Sequence, residues 1–145
     1  MNWLHEGTIV DGVDKMPDGV YGFIYEITTE HGMKYIGKKT LFTVRKRKFG
    51  KKESATITDK RKKLYEMVRK EGDWKTYTGS NTDLNEVIKN GTKYTKEILC
   101  YAFHKKQLSY LETKELFVRD VLVDDSYLNS NISGKWYRKD VLPLL

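Results

Sequence analysis

The sequence predicts a small α+β domain, a three-stranded, largely antiparallel sheet flanked by helices. Three observations carry this expectation. Runs rich in β-branched and aromatic residues, VYGFIYEIT at about 20–28, MKYIG at 33–37 and KYTKEILCYA at 93–102, read as strands. Helical periodicity falls between and after them, most clearly in HKKQLSYLETKELFVRDVLV at 104–123. No segment repeats, so the order β-β-α-α-β-α describes one layered unit. At 145 residues the simplest division is a single domain over 1–145, with a basic insertion at about 49–74.

Residues 1–18 read as irregular and end in the turn-like MPDG. TTEHGM joins the first two strands, with Gly32 free to take a positive φ. A connection of odd length centred near Glu30 sets Tyr25 directly opposite Tyr35 on one face, their side chains starting about 5 Å apart. A two-residue turn at His31-Gly32 would break that register. A helix is expected to start near Leu41 and to fray at Gly50. TITDKRKKLYEMVRK (56–70) reads as a second helix, with Ile57, Leu64, Met67 and Val68 on one side and Thr58 or Asp59 as its cap. DWKTYTGSN is a loop, and TDLNEVIKNG is a short helix closed by Asn90-Gly91. In the last helix Leu108, Leu111, Val118 and Leu122 cover one arc, which Leu116 widens.

Composition narrows the function classes. An apolar fraction of 39%, 12% aromatics and only two prolines argue against disorder. No run approaches the roughly 18 apolar residues of a membrane span, and MNWLHEGTIVDGVDKM lacks the apolar block of a signal peptide. A cytoplasmic protein with no membrane partner is expected. Cys100, the single cysteine, sits in the apolar run EILCYA and reads as a buried small hydrophobe; with His5, His31 and His104 it gives no zinc spacing. The net charge of +7 is unevenly placed: 15 Lys/Arg face 5 Asp/Glu between Lys38 and Lys75, against 12 and 15 elsewhere. Such a tract suits a polyphosphate backbone, or is a solvated insertion.

Two carboxylates intrude on the apolar side of the last helix. Glu112 falls between Leu108 and Leu116, and Glu115 between Leu108 and Leu122. An unpaired ion there is costly, so each either pairs with Lys or Arg or serves as ligand to a hard cation. Arg45 stands eight residues after Gly37, where a guanidinium could grip a phosphate.

The ordered set GFIY, then KYIG, then Arg45, then Glu112 resembles the GIY-YIG nuclease family. The likeness extends through YTGSNTDLNEVIKNGTKYTKEIL and the thirteen residues from Leu99 to Glu112, about residues 20–130 in all, and looks like the Tyr-x-Gly-Ser subgroup of phage-type, free-standing members. It implies a metal-dependent DNA endonuclease of the homing or host-DNA-degrading type, acting in the host cytoplasm where phage-encoded. It implies catalytic roles for Tyr25, Tyr35, Arg45 and Glu112, with Glu112 holding Mg²⁺ or Mn²⁺. Gly37, Lys38, Lys39, Arg47, Lys62, Lys63, Tyr77, Ser80 and Asn129 are the expected substrate contacts, with Lys60, Arg61, Arg69 and Lys70 on the DNA backbone. DNA is the expected partner, and no small-molecule cofactor is expected. Phe49 stands where many members carry a histidine, and Tyr77 takes the place of another. A phenol of pKa about 10 is only about 0.1% ionised at pH 7, so Tyr25 as a base needs a lowered pKa, from Lys38 or from a bound metal. The alternative is an inactive nucleic-acid-binding module of the same fold.

Overall fold

The computed structural model describes residues 1–59 and 61–144; Lys60, one of the expected backbone contacts, and Leu145 lie outside the described residues. In chain order the strands and helices are β1 (Trp3–His5), β2 (Thr8–Val10), β3 (Gly22–Thr29), β4 (Lys34–Thr40), β5 (Phe42–Lys48), α1 (Lys51–Ala55), β6 (Tyr65–Glu71), α2 (Thr82–Lys89), β7 (Tyr94–Ala102), α3 (Lys105–Val118), β8 (Asn131–Ile132), β9 (Trp136–Tyr137) and α4 (Arg138–Val141). They form two compact units, residues 1–41 with 73–145, and residues 42–72.

The first unit is built on a five-stranded sheet in the order β2-β1-β7-β3-β4. Its centre, β7-β3-β4, is the expected antiparallel trio. The other two strands come from the segment read as irregular. β1 and β2 form a hairpin whose two connecting residues, Glu6 and Gly7, take φ of 49° and 81°, the mirror-image turn that suits strand twist. β1 then runs parallel to β7, pairing Trp3 with Lys96 and Leu4 with Glu97. Three-residue strands are too short to display a period of two.

The β3–β4 register pairs Tyr25 with Gly37 and Ile27 with Tyr35. The turn is therefore centred one residue beyond Glu30, and the tyrosines are diagonal neighbours rather than directly opposed. A shift of two in the pairing leaves both on the same face. Gly32, with φ of 84°, supplies the left-handed residue of this turn.

Each face of the sheet buries its own core. On one, Ile24, Ile36 and Ala102 pack with Leu108 and Leu116 of α3 and with Val121 and Leu122 beyond it; half-buried Cys100 joins the edge of this cluster. α3 stops at Val118, sooner than expected, because Asp120 turns left-handed at φ 49°. Val118 is consequently exposed, while Val121 and Leu122 reach the core from outside the helix. On the other face Trp3, Phe23, Tyr25 and Trp74 meet in edge-to-face pairs with centroids 5.0–6.2 Å apart, a geometry that adds to burial alone. α2 follows its sequence signals, with Asn81 accepting from the Leu84 amide at the start and Gly91 at φ 97° just past the end.

The second unit corrects two expectations. No helix begins at Leu41, and Leu64–Lys70 do not continue one. Instead β5 and β6 form an antiparallel ribbon from Phe42↔Glu71 to Lys48↔Tyr65, joined through the five-residue α1 and a loop. None of the described residues in 42–72 is buried. Strands so rich in Lys and Arg carry little hydrophobic contrast, which hid the alternation of FTVRKRK and YEMVRKE from a reading based on apolar period.

Candidate active site

Tyr25 lies on β3, flanked by strands on both sides, and is 1% exposed. Its ring crosses directly over Gly37: a Cβ there would stand 2.4 Å from the Tyr25 hydroxyl and 2.6 Å from Cζ. This explains the pairing of tyrosine and glycine in the two strands, since any side chain at Gly37 displaces the phenol. Gly79, at φ 86°, walls the other side; its Cβ would lie 3.2 Å from the Tyr25 hydroxyl and 3.3 Å from Tyr35 Cε1. Tyr35 and Tyr77 complete a cluster of phenols, their ring centroids 6.3 and 6.0 Å from that of Tyr25.

Burial pushes the Tyr25 phenol far above its ordinary pKa, and Tyr35, Tyr77 and the Glu112 carboxylate push the same way. Tyr35 is also raised, chiefly by burial, with its contact to Ser80 opposing. Both phenols are therefore protonated at neutral pH. The lowering that a base would need does not come from Lys38, whose charge is directed to Glu112.

The two carboxylates of α3 have different surroundings. Glu115 accepts from Arg119 at 3.0 Å, and the same guanidinium donates to Glu26 at 2.6 Å. Glu115 is thus a paired ion. Among the described residues Glu112 has one distant cation, Lys38 Nζ at 3.8 Å, which also donates to Ser109 Oγ at 3.3 Å. Burial raises the Glu112 carboxyl above the usual range, and Lys38 offsets only part of that.

Glu112 lines an open, polar cleft of about 390 Å³ together with Tyr35, Ser80, Asn81, Asn131 and Ser133. The Tyr35 hydroxyl lies 3.2 Å from Ser80 Oγ. Among the described residues no three His, Cys, Asp or Glu side chains gather in a ligand set. A weakly compensated carboxylate in an oxygen-lined cleft nevertheless fits Mg²⁺ or Mn²⁺, which accept one carboxylate with the remaining positions left to water and phosphate.

The loop carrying Tyr77 and Ser80 is fixed from below. Lys96 on β7, 1% exposed, donates from Nζ to the carbonyls of Lys75 at 3.0 Å and Tyr77 at 3.1 Å, and sits 4.4 Å from the Trp3 ring centroid. Trp3 Nε1 donates to the Trp74 carbonyl at 2.6 Å. Burial brings the Lys96 pKa down to about 8. From above, Lys39 pairs with Asp73 at 2.6 Å and lies 4.1 Å from the Tyr77 ring centroid. Asn85 Nδ2 holds the Gly79 carbonyl at 2.9 Å. The sequence reading passed over Lys96; the available signal was its in-phase spacing with Ile98 on one face of β7.

Asn129, expected among the substrate contacts, is 6% exposed. Its side chain accepts from the Ile36 amide at 3.0 Å and donates to the Ile36 carbonyl at 2.8 Å. The amide stands in for a neighbouring strand along the outer edge of β4, beside Tyr35, and its burial gives it a supporting role in place of the expected substrate contact.

Arg45, Arg47, Lys62 and Lys63 belong to the second unit. Arg45 is exposed on β5 opposite Val68. Arg47 is engaged by Glu66 at 2.6 Å and by Glu53 at 3.0 and 3.2 Å. Lys62 and Lys63 are exposed in the loop before β6, not on a helix.

Residues 3–132 match the family model described as "Putative endonuclease segE, GIY-YIG domain". No curated protein and no solved structure matches the chain. No helix among the described residues is long and apolar enough to cross a membrane. With the match spanning nearly the whole sequence, and with Gly37 beneath Tyr25 and Glu112 sharing a cleft with Tyr35, the chain belongs to the GIY-YIG endonuclease family.

Proposed function

We propose that this chain is a divalent-metal-dependent endonuclease that hydrolyses phosphodiester bonds in DNA, as a phage-type homing or host-DNA-degrading enzyme. The observation that carries the reading is Glu112: a half-buried carboxylate with Lys38 Nζ no nearer than 3.8 Å, in the same cleft as Tyr35 and Ser80. Glu112 would hold Mg²⁺ or Mn²⁺, whose chemistry is to offset negative charge on the scissile phosphate and on the departing oxygen. Tyr25 and Tyr35, both protonated, donate hydrogen bonds that orient the attacking water and the phosphate. The proton leaves that water for an acceptor other than a preformed phenolate. Lys38 adds positive charge beside Glu112, and Arg45 is assigned to the phosphate oxygens, where charge builds in the transition state. One water is consumed: its oxygen joins phosphorus as the bond to the 3′ oxygen breaks, one proton goes to that oxygen and the other to solvent, leaving 5′-phosphate and 3′-hydroxyl ends.

Plasmid incubated with the protein and Mg²⁺ tests this. Cleavage is expected with the wild-type chain, and a fall of about 10³-fold with Glu112→Gln, the scale of several kcal/mol of lost charge stabilisation. EDTA is expected to stop it. Retardation of DNA without any cutting by the wild-type chain would overturn the enzyme and leave a binding module. Arg45→Ala is expected to lower the cleavage rate far more than DNA affinity; equal losses would remove its transition-state role.

A further inference from the structure

Apart from Arg45, the charges of the β5–β6 ribbon have no part in the nuclease chemistry proposed above. Residues 42–72 hold 12 Lys/Arg and 4 Asp/Glu, more excess charge than the net +7 of the entire chain. The two ribbon faces carry three cations each and differ in how those cations are engaged. Strand alternation places Thr43, Arg45 and Arg47 on one face, opposite Lys70, Val68 and Glu66. Here the acids are spent: Glu66 and Glu53 both grip Arg47, while Asp59 pairs with Arg61 in the connecting loop. The other face presents Val44, Lys46 and Lys48 opposite Arg69, Met67 and Tyr65.

On that second face Lys46, Lys48 and Arg69 have no ion pair among the described residues. Arg69 lies 3.6 Å from the Phe42 ring centroid and Lys46 4.5 Å from that of Tyr65. Aromatic rings steer such cations without neutralising them. Its one carboxylate, Glu71, stands at the end of the ribbon opposite Phe42. Val44 and Met67 are each 58% exposed on the same face, in a unit with no buried residue. Cations and exposed methyl groups on a narrow ribbon fit base edges and phosphates together.

We propose that the Lys46–Lys48–Arg69 face of the ribbon docks in the major groove of duplex DNA and supplies the chain's sequence preference. The dimensions agree. Two strands about 4.8 Å apart fit a groove about 12 Å wide, and seven residues extend about 20 Å, some six base-pair steps. In the groove Lys and Arg reach guanine O6 and N7, and Val44 and Met67 meet thymine methyl groups. The proposal rests on DNA as the substrate. It also excludes A-form RNA, whose major groove is too deep and narrow for side chains to read.

Dimethyl sulfate protection of guanine N7, measured with the full chain in EDTA, tests groove docking without cleavage. A DNA duplex pool that the chain retains should show a protected window of about six base pairs. The triple variant Lys46→Gln/Lys48→Gln/Arg69→Gln should lose that window, lose affinity about 10- to 100-fold, and flatten the salt slope. Lys89→Gln, an exposed lysine on α2 outside the ribbon, should keep the window. The ribbon substitutions are on exposed positions of a unit without a core, and an unchanged melting temperature verifies folding. Protection that survives the triple variant, or equal affinity for duplex RNA of the same sequence, overturns the proposal. Protection by a chain that never cuts with Mg²⁺ sinks the nuclease reading and leaves the groove assignment standing; a chain that binds no duplex sinks both.

Discussion

The two units of this protein hold their functional side chains by opposite means. In the sheet unit, Tyr25 is 1% exposed and Lys96 1% exposed, each fixed by packing on every side. In the ribbon unit every described residue is exposed or half-exposed, and order comes from cross-strand hydrogen bonds, cation–ring contacts and the Arg47 ion pairs. Burial fixes geometry, at the cost of desolvating polar groups; exposure keeps charge available to a polyanion and leaves geometry loose. Placement of groups around one reacting atom favours the first arrangement, and contact with a long anionic polymer is open to the second.

Gly37→Ala should break the sheet unit most sharply. The new Cβ meets the Tyr25 hydroxyl at 2.4 Å, and Tyr25 cannot retreat because Gly79 and the aromatic core close the other sides. A displacement of about 1 Å at a reacting group costs about 10²-fold in rate, and overpacking costs about 1–3 kcal/mol of stability. Single-turnover cleavage should fall by that factor while duplex affinity holds within about twofold, on the order of 0.4 kcal/mol. An unchanged rate would mean that the phenol's placement does not matter.

How much of this was readable from the sequence follows the same division. β3, β4, β7 and α2 were placed because their residues are buried or capped in the patterns that sequence rules encode. The tyrosine–glycine spacing carried the site, and the geometry supplies the reason: the glycine vacates the volume that the ring fills. The one-residue shift of the turn was beyond reach, since TTEHGM permits several loop lengths. The ribbon was misread as helix because Ile57, Leu64, Met67 and Val68 mimic a helical stripe while none of them is buried. The direction of the phenol pKa depends first on burial and then on the neighbouring Tyr35, Tyr77 and Glu112, facts of packing that motif spacing does not contain.

Lys96 sharpens the comparison through pH. Its folded pKa, about 8, lies below the ordinary 10.5 of the unfolded chain. Below pH 8 both states carry the proton, and folding bears the full cost of burying the charge. Between pH 8 and 10.5 the folded protein sheds the proton that the unfolded chain retains, so stability contributed by this group rises across the window. The neutral amine still donates to Lys75 and Tyr77. Lys96→Met cannot titrate, so the unfolding free energy from denaturant titration, wild type minus variant, should increase from pH 7 to pH 10, by about 3 kcal/mol at most. A flat difference would show that the ammonium is solvated. At pH 7 the variant should also cleave more slowly, with its Tyr77 loop untethered.

The smallest effect is expected where exposure is greatest. Met67 is 58% exposed on the ribbon, with no core beneath it. Met67→Ala should change the stability of the chain by no more than about 0.5 kcal/mol. The comparable truncation Ile24→Ala, at 0% exposure in the sheet unit, should cost about 2–5 kcal/mol. Thermal melts of the two variants make the measurement. A substantial loss at Met67 would mean that this side chain is covered in solution. A negligible loss, combined with weaker retention of duplex DNA, would assign the methionine to binding alone, because a contact made only with a partner leaves no trace in the stability of the free chain.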